Sequence, residues 1–159
     1  DRCRLVRLGG GGGPRALNDP LLVTHAMRNV TSLYLQHNRL TSTAGISSAS
    51  TPSLRFLALQ GNRLTVLDGV ETLASLMFLD VSDNPPLRRL DELVASLPAS
   101  LRFVACGGCG AARDEEYRAA LVATLPALRT LDAVDVTRGE RRAAREAFGE
   151  DPDDTDEEE

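Results

Sequence analysis

Leu54-Arg55-Phe56-Leu57-Ala58-Leu59-Gln60-Gly61-Asn62-Arg63-Leu64 decides how the rest of the chain is read. Leu57 and Leu59 alternate around Ala58, which makes a short strand with both leucines on one face. Leu54 precedes them by three residues, and Asn62 and Leu64 follow. The template is apolar-x-x-Leu-x-Leu-x-x-Asn-x-Leu. Upstream it recurs as Val30 followed by Leu33-Tyr34-Leu35-Gln36-His37-Asn38-Arg39-Leu40. Downstream it recurs as Leu76 followed by Leu79-Asp80-Val81-Ser82-Asp83-Asn84, one residue longer through Pro85-Pro86-Leu87. The anchors Leu33, Leu57 and Leu79 lie 24 and 22 residues apart. A unit this short cannot bury its apolar face alone; stacking on its neighbours does so.

Weaker copies extend the array. Leu101-x-x-Val104-x-Cys106-x-x-Cys109 fits, with Cys109 in the Asn slot. Cys3-x-x-Val6-x-Leu8 fits at the start and runs into Gly9–Gly13, and Leu128-x-x-Leu131 begins a last strand. Successive strands should form one parallel sheet, each buried Leu contributing roughly 1.5–3 kcal/mol. The Asn side chain carries both donors and an acceptor, so it can satisfy backbone groups where the chain leaves the strand. Asn38, Asn62 and Asn84, with Cys109, therefore read as a structural ladder.

The return segments are short. Val66-Leu67 with Leu73 and Leu76 gives a turn or short helix, and residues 91–97 give one or two helical turns stopped by Pro98. A helix is predicted from Glu115 to Thr124, capped by Asp114, with Tyr117, Leu121, Thr124 and Leu125 on one face. Thr137-x-x-Glu140 matches a capping box that opens a last helix to about Phe148, with Ala144, Ala147 and Phe148 available to pack. The reading is one domain over 1–149 of about five repeats, with a cap at 125–148. An acidic tail at 150–159 is expected to be disordered.

Charge divides the same way. The chain of 159 residues carries −5, and its last ten residues hold eight acids, so the preceding 149 carry +3. Every basic side chain is Arg. The chain opens on Asp rather than Met, as expected for part of a longer or processed protein. No signal-peptide pattern or long apolar run occurs, so neither a leader nor a membrane span is expected. Three cysteines give no disulfide framework and fit a reducing compartment.

Several motifs invite chemistry and do not support it. Cys106-Gly-Gly-Cys109 begins inside a predicted strand, whereas redox pairs of this kind use a helix N-terminus to lower the thiol pKa. A structural zinc needs four ligands, and Cys3, His25 and His37 lie far apart in the array. Gly9–Gly13 lacks the Gly-Lys-Ser/Thr ending of a phosphate loop. His25 and His37 have no triad partner nearby. No catalytic residue, metal or cofactor is expected.

The residues between the core leucines are more informative. The first outward column reads Leu5, Ser32, Phe56, Phe78, Phe103, Thr130. The second reads Arg7, Tyr34, Ala58, Asp80, Ala105, Asp132, and the third Gly9, Gln36, Gln60, Ser82, Gly107. Three phenylalanines in successive strands, rimmed by Tyr34, Gln36, Gln60, Asp80 and Arg7, have the composition of a protein interface.

With these segments set out, a resemblance can be named. The repeats resemble the short, 22-residue leucine-rich-repeat class of the protein phosphatase 1 regulatory subunit type. Leu125-Pro126-x-Leu128-x-x-Leu131-Asp132, continuing through Val136-Thr137-x-x-Glu140-Arg141, resembles the C-terminal cap of that class. The strings around Tyr34, Phe56 and Phe78 are similar to cilium-associated members. The resemblance implies an α/β leucine-rich-repeat solenoid: a curved right-handed coil with a parallel concave sheet, short convex helices and turns, and a C-terminal helical cap. It also implies a non-catalytic protein-binding module of the ciliary or flagellar axoneme, cytoplasmic, with protein partners in a large assembly. No small-molecule substrate, nucleic acid or membrane is expected. Alternatives are a phosphatase-binding regulatory subunit and an acidic-tailed nuclear repeat protein.

Overall fold

The computed structural model describes residues 27–148. The copy at Cys3–Leu8, the glycine run, Arg7, His25 and the acidic tail lie outside them.

Strands β1 (Ser32–Tyr34), β2 (Phe56–Ala58), β3 (Phe78–Asp80) and β4 (Phe103–Ala105) pair in parallel, in chain order and in the register the template sets. β5 (Thr130–Leu131) continues them in parallel. β6 (Val134–Asp135) then turns back antiparallel and completes a six-stranded sheet, a hairpin the sequence reading did not foresee.

The template leucines form the core in ranks. Leu54, Leu76, Leu101 and Leu128 are buried, as are Leu57, Leu79, Val104 and Leu131. Leu35, Leu59, Val81 and Cys106 make a third rank, and Leu40, Leu64 and Leu87 a fourth. Three of the four backs are closed by short helical elements. The coil after β2 uses a 3-10 turn, Val70–Thr72. The coil after β3 uses α1 (Leu90–Ala95), and the coil after β4 uses a 3-10 turn, Ala111–Arg113, then α2 (Tyr117–Thr124). The long Thr41–Thr51 connection buries Ile46, Thr43 and Thr51, and Thr43 Oγ1 donates to Asp68 O at 2.9 Å.

Helix α3 (Arg138–Phe148) packs on α2 and closes the array. The capping box forms: Glu140 N donates to Thr137 Oγ1 at 3.1 Å and Thr137 N to Glu140 Oε2 at 3.3 Å. Three expectations are corrected. α2 begins at Tyr117 rather than Glu115, because Asp114 Oδ1 accepts from Glu116 N and holds the preceding residues in a turn. Its inward face is Tyr117, Leu121 and Val122, with Thr124 exposed, since the helix is rotated to meet α3. On α3 only Ala144 is buried; Ala147 and Phe148 extend past the coil they would pack against and are exposed.

Candidate functional site

Register brings the first column together. Ser32, Phe56, Phe78, Phe103 and Thr130 are consecutive cross-strand partners. Phe56 and Phe78 stack with ring centroids 4.2 Å apart and planes 5° from parallel. Tyr34, from the neighbouring column, tilts onto Phe56 with centroids 5.1 Å apart. Phe103 continues the column beside Phe78. The aromatic stripe thus runs diagonally from Tyr34 through Phe56 and Phe78. Its two ends are the most open, Tyr34 at 58% and Phe103 at 39% exposure. Rings stacked along the inter-strand direction turn their faces to each other and their edges to solvent.

Gln36 and Gln60 stand beside the stripe in adjacent coils. Each has a buried Oε1 with no hydrogen-bond donor among the described residues. A carbonyl oxygen in that state costs free energy until something donates to it. Asp80 is half-buried, and its Oδ1 accepts from Ser82 N at 3.0 Å and Ser82 Oγ at 2.6 Å.

The turn after each strand repeats one geometry. Asn62 Nδ2 donates to Leu59 O at 2.7 Å and to Leu35 O of the previous coil at 2.9 Å, while its Oδ1 accepts from Leu40 N at 3.1 Å. Asn84 does the same with Val81 O, Leu59 O and Leu64 N. Asn38 donates to Leu35 O and Gln36 O. Cys109 Sγ donates to Val81 O at 3.0 Å, spanning to the previous coil as the asparagines do. The residue just before each ladder position is left-handed: His37, Gly61, Asp83 and Gly108, with φ of 56°, 68°, 53° and 80°. Side chains alternate there. A Cβ on Gly61 would meet His37 Nδ1 at 2.5 Å, and one on Gly108 would meet Asp83 Oδ1 at 2.5 Å.

Cys106 and Cys109 are buried free thiols. Burial pushes the Cys106 thiol far up, and it pushes Cys109 up to about 11. Both stay protonated at neutral pH, whereas thiolate chemistry needs the opposite shift. Among the described residues no three His, Cys, Asp or Glu side chains gather in a way that could hold a metal ion. Also among these residues, no helix is long and apolar enough to cross a membrane.

Asp132 departs from its expected place on the open face. It sits at φ 49° in the β5–β6 turn. Its Oδ1 accepts from Cys106 N at 2.7 Å and Gly107 N at 3.0 Å, and its Oδ2 from Tyr117 OH at 2.8 Å. It closes the fourth coil as asparagines close the earlier ones. Two arginines secure the cap, of which Arg118 was missed in the sequence. Arg118 of α2 pairs with Glu140 of α3 through Nε and, at 3.2 Å, Nη2, and it also donates to Leu131 O and Asp135 O. Arg141 of α3 donates to Val122 O, Leu125 O and Leu128 O. The Glu140-Arg141 pair was visible as cap motif; its targets, far away in sequence, were not.

Residues 28–85 match the family model for the leucine-rich repeat. A chain in the crystal structure of the Drosophila melanogaster SNF/U2A′ complex is similar over 77% of this chain and 71% of its own length, with a TM-score of 0.61 and 22% identity. That likeness, with the parallel sheet, gives the fold as an α/β leucine-rich-repeat coil. No curated protein sequence matches the chain.

Proposed function

We propose that this protein is a binding module that grips a protein partner on the open face of its sheet. Phe56, Phe78 and Phe103, with Tyr34, Gln36, Gln60 and Asp80, form the contact. The observation that supports this most is the aromatic stripe itself, which the described parts of the chain leave uncovered at both ends. Large rigid rings are the anchors that dominate interfaces. The similar coil in the SNF/U2A′ structure belongs to a complex, in keeping with a binding role.

The finer reading is a structural or adaptor component of the ciliary or flagellar axoneme. It rests on the resemblance to the cilium-associated leucine-rich repeat-containing protein 46. Tyr34→Ala and Phe103→Ala remove exposed rings and should leave the fold intact. Affinity capture with the unmodified chain from ciliated cells should then recover axonemal proteins that the double variant loses. Recovery of a phosphatase catalytic subunit would replace that role with the regulatory one. Retention of every partner by a folded double variant would remove the sheet face from the interface.

A further inference from the structure

We infer that the partner segment seated on this face is an acidic polypeptide carrying an apolar anchor, an inference that rests on the sheet-face reading above. Arg55, Arg102 and Arg129 each stand immediately before a strand and are laddered to the coil before: Arg55 N donates to Thr31 O, Arg102 N to Met77 O and Arg129 N to Arg102 O. On the other side of the face Arg39 and Arg63 follow the Asn ladder in adjacent coils, Arg63 N donating to Leu40 O. All five are exposed. The ion pairs among the described residues engage Arg89, Arg118 and Arg142 instead. Arg102 and Arg129 precede neighbouring strands, their backbones joined by the Arg129 N to Arg102 O bond at 2.7 Å. Like charges so placed repel, and a carboxylate between them would relieve the strain.

The ring geometry points the same way. An aromatic ring is negative on its face and positive at its edge. The Phe56–Phe78 stack presents edges, so the stripe favours oxygens over cations. Base stacking needs open ring faces, and Phe56 and Phe78 turn one face each to the other. The chain's own run Glu150–Glu159 has the charge but no Leu, Phe or other large apolar residue to meet the rings.

The test is selection of random 12-residue displayed peptides against the whole chain, followed by titration of the selected peptides. The selected set should be rich in Asp and Glu around a Leu, Phe or Trp. Arg102→Glu with Arg129→Glu should weaken a selected peptide by about tenfold or more. Raising the ionic strength to about 0.5 M, where screening reaches roughly 4 Å, should weaken it likewise. Peptides that lose affinity with Tyr34→Ala and Phe103→Ala but ignore the arginine reversal would overturn the acidic partner and leave the sheet-face reading standing. Peptides indifferent to both would overturn both. Preference for basic peptides, preference for a uridine 12-mer over every peptide, or binding only of a peptide copying residues 150–159 would each overturn the inference.

Discussion

Cys109 occupies an asparagine position because of a proline one coil earlier. Asn62 Oδ1 accepts from Leu40 N and Asn84 Oδ1 from Leu64 N, and each donor stands two residues after the Asn of the coil before. Two residues after Asn84 the chain has Pro86, which carries no N–H. The inserted residue moves the core leucine to Leu87, whose N–H finds Asn84 O at 3.0 Å within the turn. The fourth ladder position therefore needs a donor only, and a thiol supplies it. Asn62→Ala should cost about 1–3 kcal/mol in urea unfolding, since it strands the Leu40 N–H, while Leu35 O and Leu59 O keep the Asn38 and Asn84 donors. Cys109→Ala should cost about 1–2 kcal/mol. Cys109→Asn, which restores the repeat pattern, should destabilise by about 1–3 kcal/mol, because its new buried oxygen meets no donor; a gain in stability would refute the account. The thiols also set an alkaline limit. Cys109 titrates at about 11 in the folded chain, against about 8.5 unfolded. As pH rises through that window the unfolded state loses its proton first, so stability falls with pH. The fall between pH 8.5 and 11 should be shallower in Cys109→Ala, as read by urea midpoints.

At the scale of elements, the last hairpin joins β5 to β6 through Asp132 and Ala133, with φ of 49° and 63°. Both signs are positive, the geometry of a type I′ turn that favours Asn-Gly or Asp-Gly. Ala133 bears a left-handed conformation that costs an L residue roughly 1–2 kcal/mol. Ala133→Gly should raise stability by about 0.5–1 kcal/mol after the loss in chain entropy, read as a higher urea midpoint with an unchanged slope. Acid acts on the neighbouring helix pair. Arg118 holds the Glu140 carboxyl below its usual range. The pair's contribution is therefore present above the unfolded pKa and lost as pH falls below about 4. Local signals were the legible ones here. The Thr137 capping box, the Leu-x-Leu strands and the spacing of anchors all lie within a few residues and survive intact in the fold. The hairpin was illegible because Ala133 lacks the glycine that marks such turns. Asp132 looked like a face residue because period-two alternation continues through it on paper; its three donors come from residues 15 to 26 positions away. The aromatic column was readable from register alone, yet the diagonal contact of Tyr34 with Phe56 depends on side-chain rotation that alternation does not specify.

Across the whole molecule, stability should add coil by coil rather than through one central core, since each described coil packs on its neighbours. The cap is where this can be tested without touching the sheet face. Arg141 reaches from α3 to three carbonyls, two near the end of α2 and one at Leu128, just before β5. A guanidinium there also meets the negative end of the α2 dipole. Arg141→Ala should cost about 1.5–3 kcal/mol locally, since bonds from a charged group are lost. In hydrogen exchange, amides of α2, β5 and α3 should then speed up by about tenfold or more. Those of Leu59 and Val81, which pair β2 to β3 and β3 to β4, should keep their original rates. Equal acceleration at Leu59 and Leu125 would show that the coils unfold as one unit and that the cap stabilises the sheet face as well as the end. Local acceleration alone would mean the coils of β2 and β3, proposed to bind the partner, stay rigid however the C-terminal end is loosened.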